Sequence, residues 1–316
     1  MVLEDRWHRE TYVDLLMEYV QKDERIVVLD ADLMLASGMK RLQKEFPERT
    51  VNVGVAEANM IGVAAGMSAM GKIPFTHSFT PFSTRRVCDQ LTLSVAYAGL
   101  NVKIVGSDPG VTAELNGGTH MSMEDVAIMR NIPNMIVFEP TDSAQFKKAF
   151  PQIIEHYGPV YIRLLRRNAV KIFDENSEFQ LGKGIVLKEG RDVTVFASGI
   201  MTAESLRAGE LLLEKGIDAE IINIHTIKPL DTDLVLKSAM KTKAVVTAEN
   251  GSIINGLGSA VAEVLGENYP VPLKRVGVKD HFGEVGTTEF LKGKYGLKAE
   301  NIVRMAEEAI AMKNRG

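Results

Sequence analysis

The chain has 316 residues, 45% of them apolar and 25% charged, with a net charge of −4. That balance is ordinary for a globular protein and allows about two domains with sizeable cores. The interspersed charges exclude both the basic stripe of a nucleic-acid binder and a polybasic membrane-surface segment, and no apolar run approaches a bilayer span. A single cysteine, Cys88, excludes an internal disulfide framework and fits a reducing cytoplasm. The polar start, Met1 to Glu10, is unlike a signal peptide. Fifteen methionines are scattered along the chain, as adaptable core filler would be.

In chain order, the pattern predicts a helix over Trp7–Gln21, a strand over Ile26–Asp30 and a short helix near Gly38–Phe46. A buried strand, Val51–Val55, then runs into a small-residue helix, Glu57–Met70, followed by a strand over Ile73–Thr76 and a helix over Phe82–Ala98. Strand Val102–Gly106 leads through a glycine-rich loop to helix Met123–Arg130. Strand Met135–Glu139, helix Ser143–His156 and strand Val160–Leu164 complete this unit. Val/Ile-rich runs separated by helices indicate an α/β fold with a mainly parallel sheet covered on both faces. A polar lapse between Arg167 and Gly184 places the domain boundary there.

A second alternation follows. Its strands are Val193–Ala197, Ala219–Ile224, Ala244–Thr247 and Val271–Val276. Its helices are Thr202–Lys215, Asp231–Lys241, Gly256–Glu267, Thr287–Lys292 and Ala299–Lys313. The expected organisation is two doubly wound domains in tandem, residues 1–170 and 186–316, joined by a linker at 171–185.

Three segments carry candidate chemistry. Glu57 sits where a strand meets a helix, at the edge where open α/β sheets bind ligands. Apolar and tiny neighbours would desolvate its carboxyl and raise its proton affinity; a carboxylate complementing the helix dipole is the plainer reading. Phe79 and Phe82 flank a strand-to-helix junction, where they either sandwich a flat heterocycle or fill core. The loop from Asp108 to His120 follows a strand and precedes a helix. In it His120 either handles protons and oxyanions or helps to cap the next helix. No P-loop, dinucleotide fingerprint or zinc spacing is present, and His8, His225 and His281 stand isolated, as structural or solvated residues would.

Together, Gly54-Val55-Ala56-Glu57, the Phe79/Phe82 pair and the loop ending in Thr119-His120 resemble transketolase. So do Asp30-Ala31-Asp32-Leu33, Ile227-Lys228-Pro229-Leu230-Asp231, Gly256 to Val261 and Asp280 to Gly286. The resemblance covers that thiamine-diphosphate family's pyrimidine-binding and carboxy-terminal domains. It implies that Glu57 hydrogen-bonds the cofactor's aminopyrimidine nitrogen and favours its imino tautomer. It also implies that Phe79 and Phe82 pack on that ring, that Asp32 lies near the cofactor, and that His120 contacts donor and acceptor hydroxyls. Arg9 and Arg166 match the arginines that bind a sugar phosphate.

The family's diphosphate-binding domain, with its Gly-Asp-Gly motif, has no counterpart here. The resemblance therefore implies the carboxy-terminal subunit of a split transketolase, a cytoplasmic transferase. It would need an amino-terminal subunit, in an α2β2 heterotetramer, to hold the diphosphate and Mg2+, so no metal ligands are expected on this chain. Its substrates would be sugars or sugar phosphates, with no nucleic acid and no membrane.

Departures mark the substrate side. Asp108 stands where the family usually has a His, Asn116 where it has an Asp, Glu114-Leu115 where it has Gly-Glu, and Ala36 at or beside its serine, next to Ser37. An Asp in that place repels a phosphate dianion, so a different substrate is expected. The rivals are the β subunit of a 2-oxoacid dehydrogenase's first component, a deoxyxylulose-phosphate synthase, and an inactive regulatory half.

Overall fold

In the computed structural model, which describes residues 1–315, two mainly parallel sheets stand in tandem. The first contains β1 (Ile26–Asp30), β2 (Thr50–Asn52), β3 (Ile73–Phe79), β4 (Lys103–Ser107), β5 (Ile136–Phe138) and β6 (Val160–Leu164), in the order β5-β6-β4-β3-β1-β2. All neighbours among these six pair in parallel. The strand order reverses at β1, which lies between β2 and β3, and this makes a crevice beyond the carboxyl ends.

The sheet is buried because helices cover both faces. On one side lie α1 (His8–Lys22), α2 (Met34–Ser37), α3 (Lys40–Glu45) and α8 (Ser143–Glu155), whose Leu16, Met34, Leu42 and Phe146 share one apolar cluster with Ile26 and Phe75. On the other lie α4 (Glu57–Ala69), a π-helical turn at Leu91–Tyr97 and α7 (Asp125–Asn131), packed on Leu29 and Ile104.

The second sheet contains β7 (Ile185–Lys188), β8 (Val193–Ala197), β9 (Ala219–Asn223), β11 (Val245–Ser252) and β12 (Leu273–Val278), in the order β12-β11-β8-β9-β7. Its faces are covered by α9 (Met201–Glu214) and α13 (Ala299–Lys313) on one side and by α10 (Thr232–Thr242) and α11 (Leu257–Asn268) on the other. A short α12 (Thr288–Tyr295) precedes α13. Strand β10 (Thr226–Lys228) leaves this unit and pairs antiparallel with β5, extending the first sheet to seven strands.

Three expected elements differ. The strand at Val51–Val55 stops at Asn52, because Gly54 turns the chain with φ +75° and Asn52 Oδ1 accepts its N–H at 2.9 Å. Val55 is 76% exposed, so Glu57 does not end a buried strand. The helix expected over Phe82–Ala98 breaks into α5 (Thr80–Ser83), a 3₁₀ turn at Arg85–Val87, α6 (Cys88–Gln90) and the π-helical turn. The Thr84 hydroxyl donates back to Thr80 O, a local bond that competes with the helix, and Ser83 donates to Val105 O on β4, 22 positions away. The helix expected near Gly38–Phe46 is α3, Lys40–Glu45, and Gly38 at φ +80° separates it from the unexpected α2 before it.

Strands β7 and β10 were not expected. β7 lies half exposed at an edge, and β10 is only three residues long, too short for a periodic signal. The segment between β6 and β7 is pinned rather than free: Ile172 and Phe173 N–H groups donate to Asp142 at 2.8 and 2.7 Å.

Candidate active site

The connections at the carboxyl ends of the first sheet bring the sequence candidates to one edge. Glu57 follows β2, Phe79 ends β3, Asp108 follows β4 and Arg166 follows β6. A row of contacts links them. Glu57 is 5% exposed, in the first turn of α4, and Arg86 donates to its Oε1 at 2.8 Å. The same guanidinium lies 4.1 Å above the Phe82 ring. His120 meets Phe82 and Phe79 edge-on at 5.1 and 5.7 Å, and Arg166 lies 5.8 Å from the Phe79 ring. Arg166 then pairs with Asp108 at 2.9 Å.

Several expectations are refined by this geometry. Glu57 is desolvated, but its surroundings include a guanidinium, so the wholly apolar wall read from the sequence is corrected. Phe79 and Phe82 are half-buried and lie outside the four apolar cores. Their planes meet at 65°, which excludes a parallel sandwich between them and leaves one face and one edge to offer. His120 caps nothing: α7 begins at Asp125, and His120 Nδ1 instead bonds the Thr119 hydroxyl at 3.0 Å. Asp32 and Asn116 are exposed at the same edge. Asp32 has φ 62° and accepts from the Asn52 amide at 3.2 Å.

The arginine end is unsaturated. Arg9 Nε, Arg166 Nε, His77 Nδ1 and both Asp108 oxygens are buried without a well-angled hydrogen bond. Burial pushes the Asp108 carboxyl up to about 6, while Arg166, His77 and Arg167 pull it down. Burial and the neighbouring Arg166 lower the Arg9 pKa. Arg9 Nη1 is anchored by Ala36 O, and the guanidinium lies over the Trp7 ring. Ser37 donates to Asp30 at 3.2 Å. Arg166 Nε and Asp108 Oδ2 meet as an ion pair and His77 Nδ1 lies 3.5 Å from Asp30, which leaves Arg9 Nε and Asp108 Oδ1 without a partner; such buried atoms are rare in folded proteins and suit a site for a polar ligand group.

Sequence reasoning missed three contributors. Arg86 stands in the aromatic segment, but nothing in its type or spacing tied it to Glu57, 29 positions away. Asn250 and Thr288 belong to the second domain, where no functional residue was expected, yet both bond the Asp108–His120 loop. Among the described residues no group of three or more His, Cys, Asp or Glu is placed to hold a metal ion. Among the described residues, likewise, no helix is long and apolar enough to cross a membrane.

Two family domains match this architecture: the transketolase pyrimidine-binding domain over residues 7–171 and the transketolase C-terminal domain over residues 182–302. The chain belongs to the transketolase family. It is a transketolase subunit of the split type and a transferase. It is 70% identical over 312 residues to the 6-deoxy-6-sulfo-D-fructose transketolase subunit of Clostridium sp. (strain MSTE9), covering 99% of this chain and 97% of that one. A protein of Methanocaldococcus jannaschii, provisionally named a transketolase C-terminal section, is 46% identical over 303 residues and 95% of each chain. A solved split-gene transketolase, an inactive β4 tetramer, superposes with a TM-score of 0.89 at 45% identity, over 97% of this chain and 99% of that one. These relatives are transketolases, not dehydrogenase components.

Proposed function

We propose that this transketolase subunit, with an amino-terminal partner subunit, transfers a two-carbon ketol unit from a ketose ending in a single negative charge, a sulfonate, to an aldose. The observation that carries the substrate reading is the unsaturated group of Arg9, Arg166 and Asp108. Two guanidinium charges and one carboxylate leave this group at +1 when Asp108 is ionised. A phosphate monoester carries about −1.5 to −2 charges at pH 7, whereas a sulfonate carries one. The buried Asp108 carboxylate therefore weighs against the dianion and tolerates the monoanion. The name of the 70% identical Clostridium relative supports the same end group.

The residues present fit an aromatic cofactor ring. Two half-buried phenyl rings and a buried carboxyl, with only Oε1 engaged by Arg86, face one edge of the sheet. When bound, thiamine diphosphate supplies the nucleophilic carbon and electron sink that ketol transfer needs. Glu57 would hold the aminopyrimidine nitrogen and keep a proton shared there, a task suited to a desolvated carboxyl. Phe79 and Phe82 would carry the ring, with Asp32 beside it. Arg86 would fix the Glu57 carboxyl in place. His120 and Asn116 would read sugar hydroxyls, with Asp108, Arg9 and Arg166 at the charged end. The diphosphate and Mg2+ would be held by the partner, in an α2β2 assembly. We assign the assembly to the cytoplasm, where a lone Cys88 stays reduced.

The test is turnover by the chain mixed with its amino-terminal partner, thiamine diphosphate and Mg2+. 6-Deoxy-6-sulfo-D-fructose is compared with D-fructose 6-phosphate, which has the same carbon skeleton. A kcat/KM preference of at least about tenfold for the sulfonate, worth 1.4 kcal/mol, is expected. Equal turnover of the two donors would sink the substrate reading.

A further inference from the structure

The loop carrying Asn116 and His120 is built into the other domain. Its apolar residues Val111 and Ala113, with Met121 and Met123 just beyond it, belong to the core of the second sheet. The buried Asn250 side chain accepts from Val111 N–H at 2.9 Å and donates to Pro109 O at 2.9 Å. Gly110 lies so close to Asn250 that a Cβ would collide, and a Cβ on Gly117 would come within 2.9 Å of Val285.

Glu114 is the unexpected member. Its backbone has φ 47° and ψ −118°, a region that costs free energy for any residue with a side chain. Glycine would sit there without strain, and glycine is what the family pattern carries at this place. The Glu114 carboxylate is fully used, however. Oε1 accepts from the Thr288 N–H at 3.1 Å and the Thr288 hydroxyl at 2.6 Å, and Oε2 pairs with Arg167 at 2.7 Å. Strained backbone persists only where surrounding contacts over-determine it, and three contacts to one carboxylate do so here.

We propose that Glu114 is a positioning residue for the donor site: its clamp joins Thr288 of the second domain to Arg167 of the first through the substrate-facing loop, and fixes where Asn116 and His120 stand. The proposal rests on the reading above that this loop faces the donor. The second domain thereby takes part in substrate recognition without touching the substrate.

The test uses the assembled enzyme with its partner, thiamine diphosphate, Mg2+ and 6-deoxy-6-sulfo-D-fructose. Glu114→Ala keeps the strain and loses the clamp, Glu114→Gly loses both, and Glu114→Gln keeps an acceptor for Thr288. Donor KM is expected to rise about tenfold in the Ala and Gly variants, with kcat changed less than about threefold. The Gln variant should stay within about threefold of the parent. Hydrogen exchange of amides 110–120 should accelerate in the Ala and Gly variants and not in the Gln variant. The Gly variant separates positioning from folding, since it relieves strain and should unfold at a temperature at or above that of Glu114→Ala. Unchanged loop exchange together with an unchanged donor KM in both Ala and Gly variants overturns the clamp. If the parent assembly transfers no ketol unit from any donor, the functional reading fails, and loop exchange alone then decides the clamp: acceleration in Glu114→Gly supports it and parental exchange overturns it.

Discussion

The two doubly wound sheets put the same architectural feature to opposite uses. At the carboxyl edge of the first sheet, half-buried rings, two arginines and unpartnered buried polar atoms remain open. At the carboxyl edge of the second sheet, the first domain fills the crevice. Asn223, at the end of β9, accepts from Gln145 at 2.8 Å and donates to Thr141 at 2.9 Å. Gly199, after β8, has no room for a Cβ against Glu139. Ser252 N–H, at the end of β11, donates to Met123 O at 2.7 Å. The sheet edge left open in one domain is a docking surface in the other. Fold alone therefore does not locate chemistry; the partners at the edge do.

The comparison breaks most sharply at Glu57, the carboxyl of the open edge. In the assembled enzyme Glu57→Ala should lower kcat by about 10²–10⁴-fold, the range for losing a proton-handling group. Assembly and the unfolding midpoint should stay unchanged, because the side chain supports no docking contact. Near-parental turnover would remove Glu57 from the site.

The docked edge should answer in stability instead. Arg163 is 1% exposed and bonds Asp125 at 2.7 Å, Glu139 at 2.6 Å and Asn250 O at 2.6 Å, joining both domains. Burial opposes its charge, and Asp125 and Glu139 outweigh that and hold it protonated. Arg163→Met leaves two buried carboxylates uncompensated, and denaturant unfolding should show a loss of about 3–5 kcal/mol. Adding Asp125→Asn and Glu139→Gln should recover part of it.

Glu249 offers a milder probe of the same edge. Burial pushes its carboxyl up to about 7, although Gly258 and Leu257 N–H groups bond it. A carboxyl whose folded value lies above its unfolded value binds its proton more tightly when folded. Its contribution is complete below about pH 4 and is lost as pH rises through about 7. Stability should fall by about 1–3 kcal/mol between pH 5 and 9, and Glu249→Gln should flatten that slope. An unchanged slope in the variant would assign it to another group.

Much of this was legible in the chain. Strands β1, β6 and β8 are mainly apolar runs whose ends the sequence places correctly, and the Glu57, Phe79/Phe82 and His120 segments do share one edge. What escaped depends on tertiary partners. Strand β10 exists because β5 offers it an edge. The break after α5 exists because Val105 O is within reach of Ser83. Arg86 acquires its place only when α4 and the turn after α5 pack together. Glu114 looked like a departure from a family pattern, and Thr288, 174 positions away, is what gives it a purpose.

The smallest expected effect tests the charge at the open edge. Asp108 titrates at about 6, so between pH 5 and 7.5 the group with Arg9 and Arg166 passes from +2 to +1. A sulfonate keeps one negative charge throughout, so the donor KM should rise as pH rises through 6. Asp108→Asn holds the group at +2 at every pH. Its KM for the sulfonated donor should therefore be lower and nearly flat, and its kcat/KM for D-fructose 6-phosphate should gain about three- to tenfold over the parent, a change near 1 kcal/mol. An unchanged ratio of sulfonate to phosphate turnover in Asp108→Asn would mean that the end group is selected by shape at the arginines, and that the carboxylate serves only to orient Arg166.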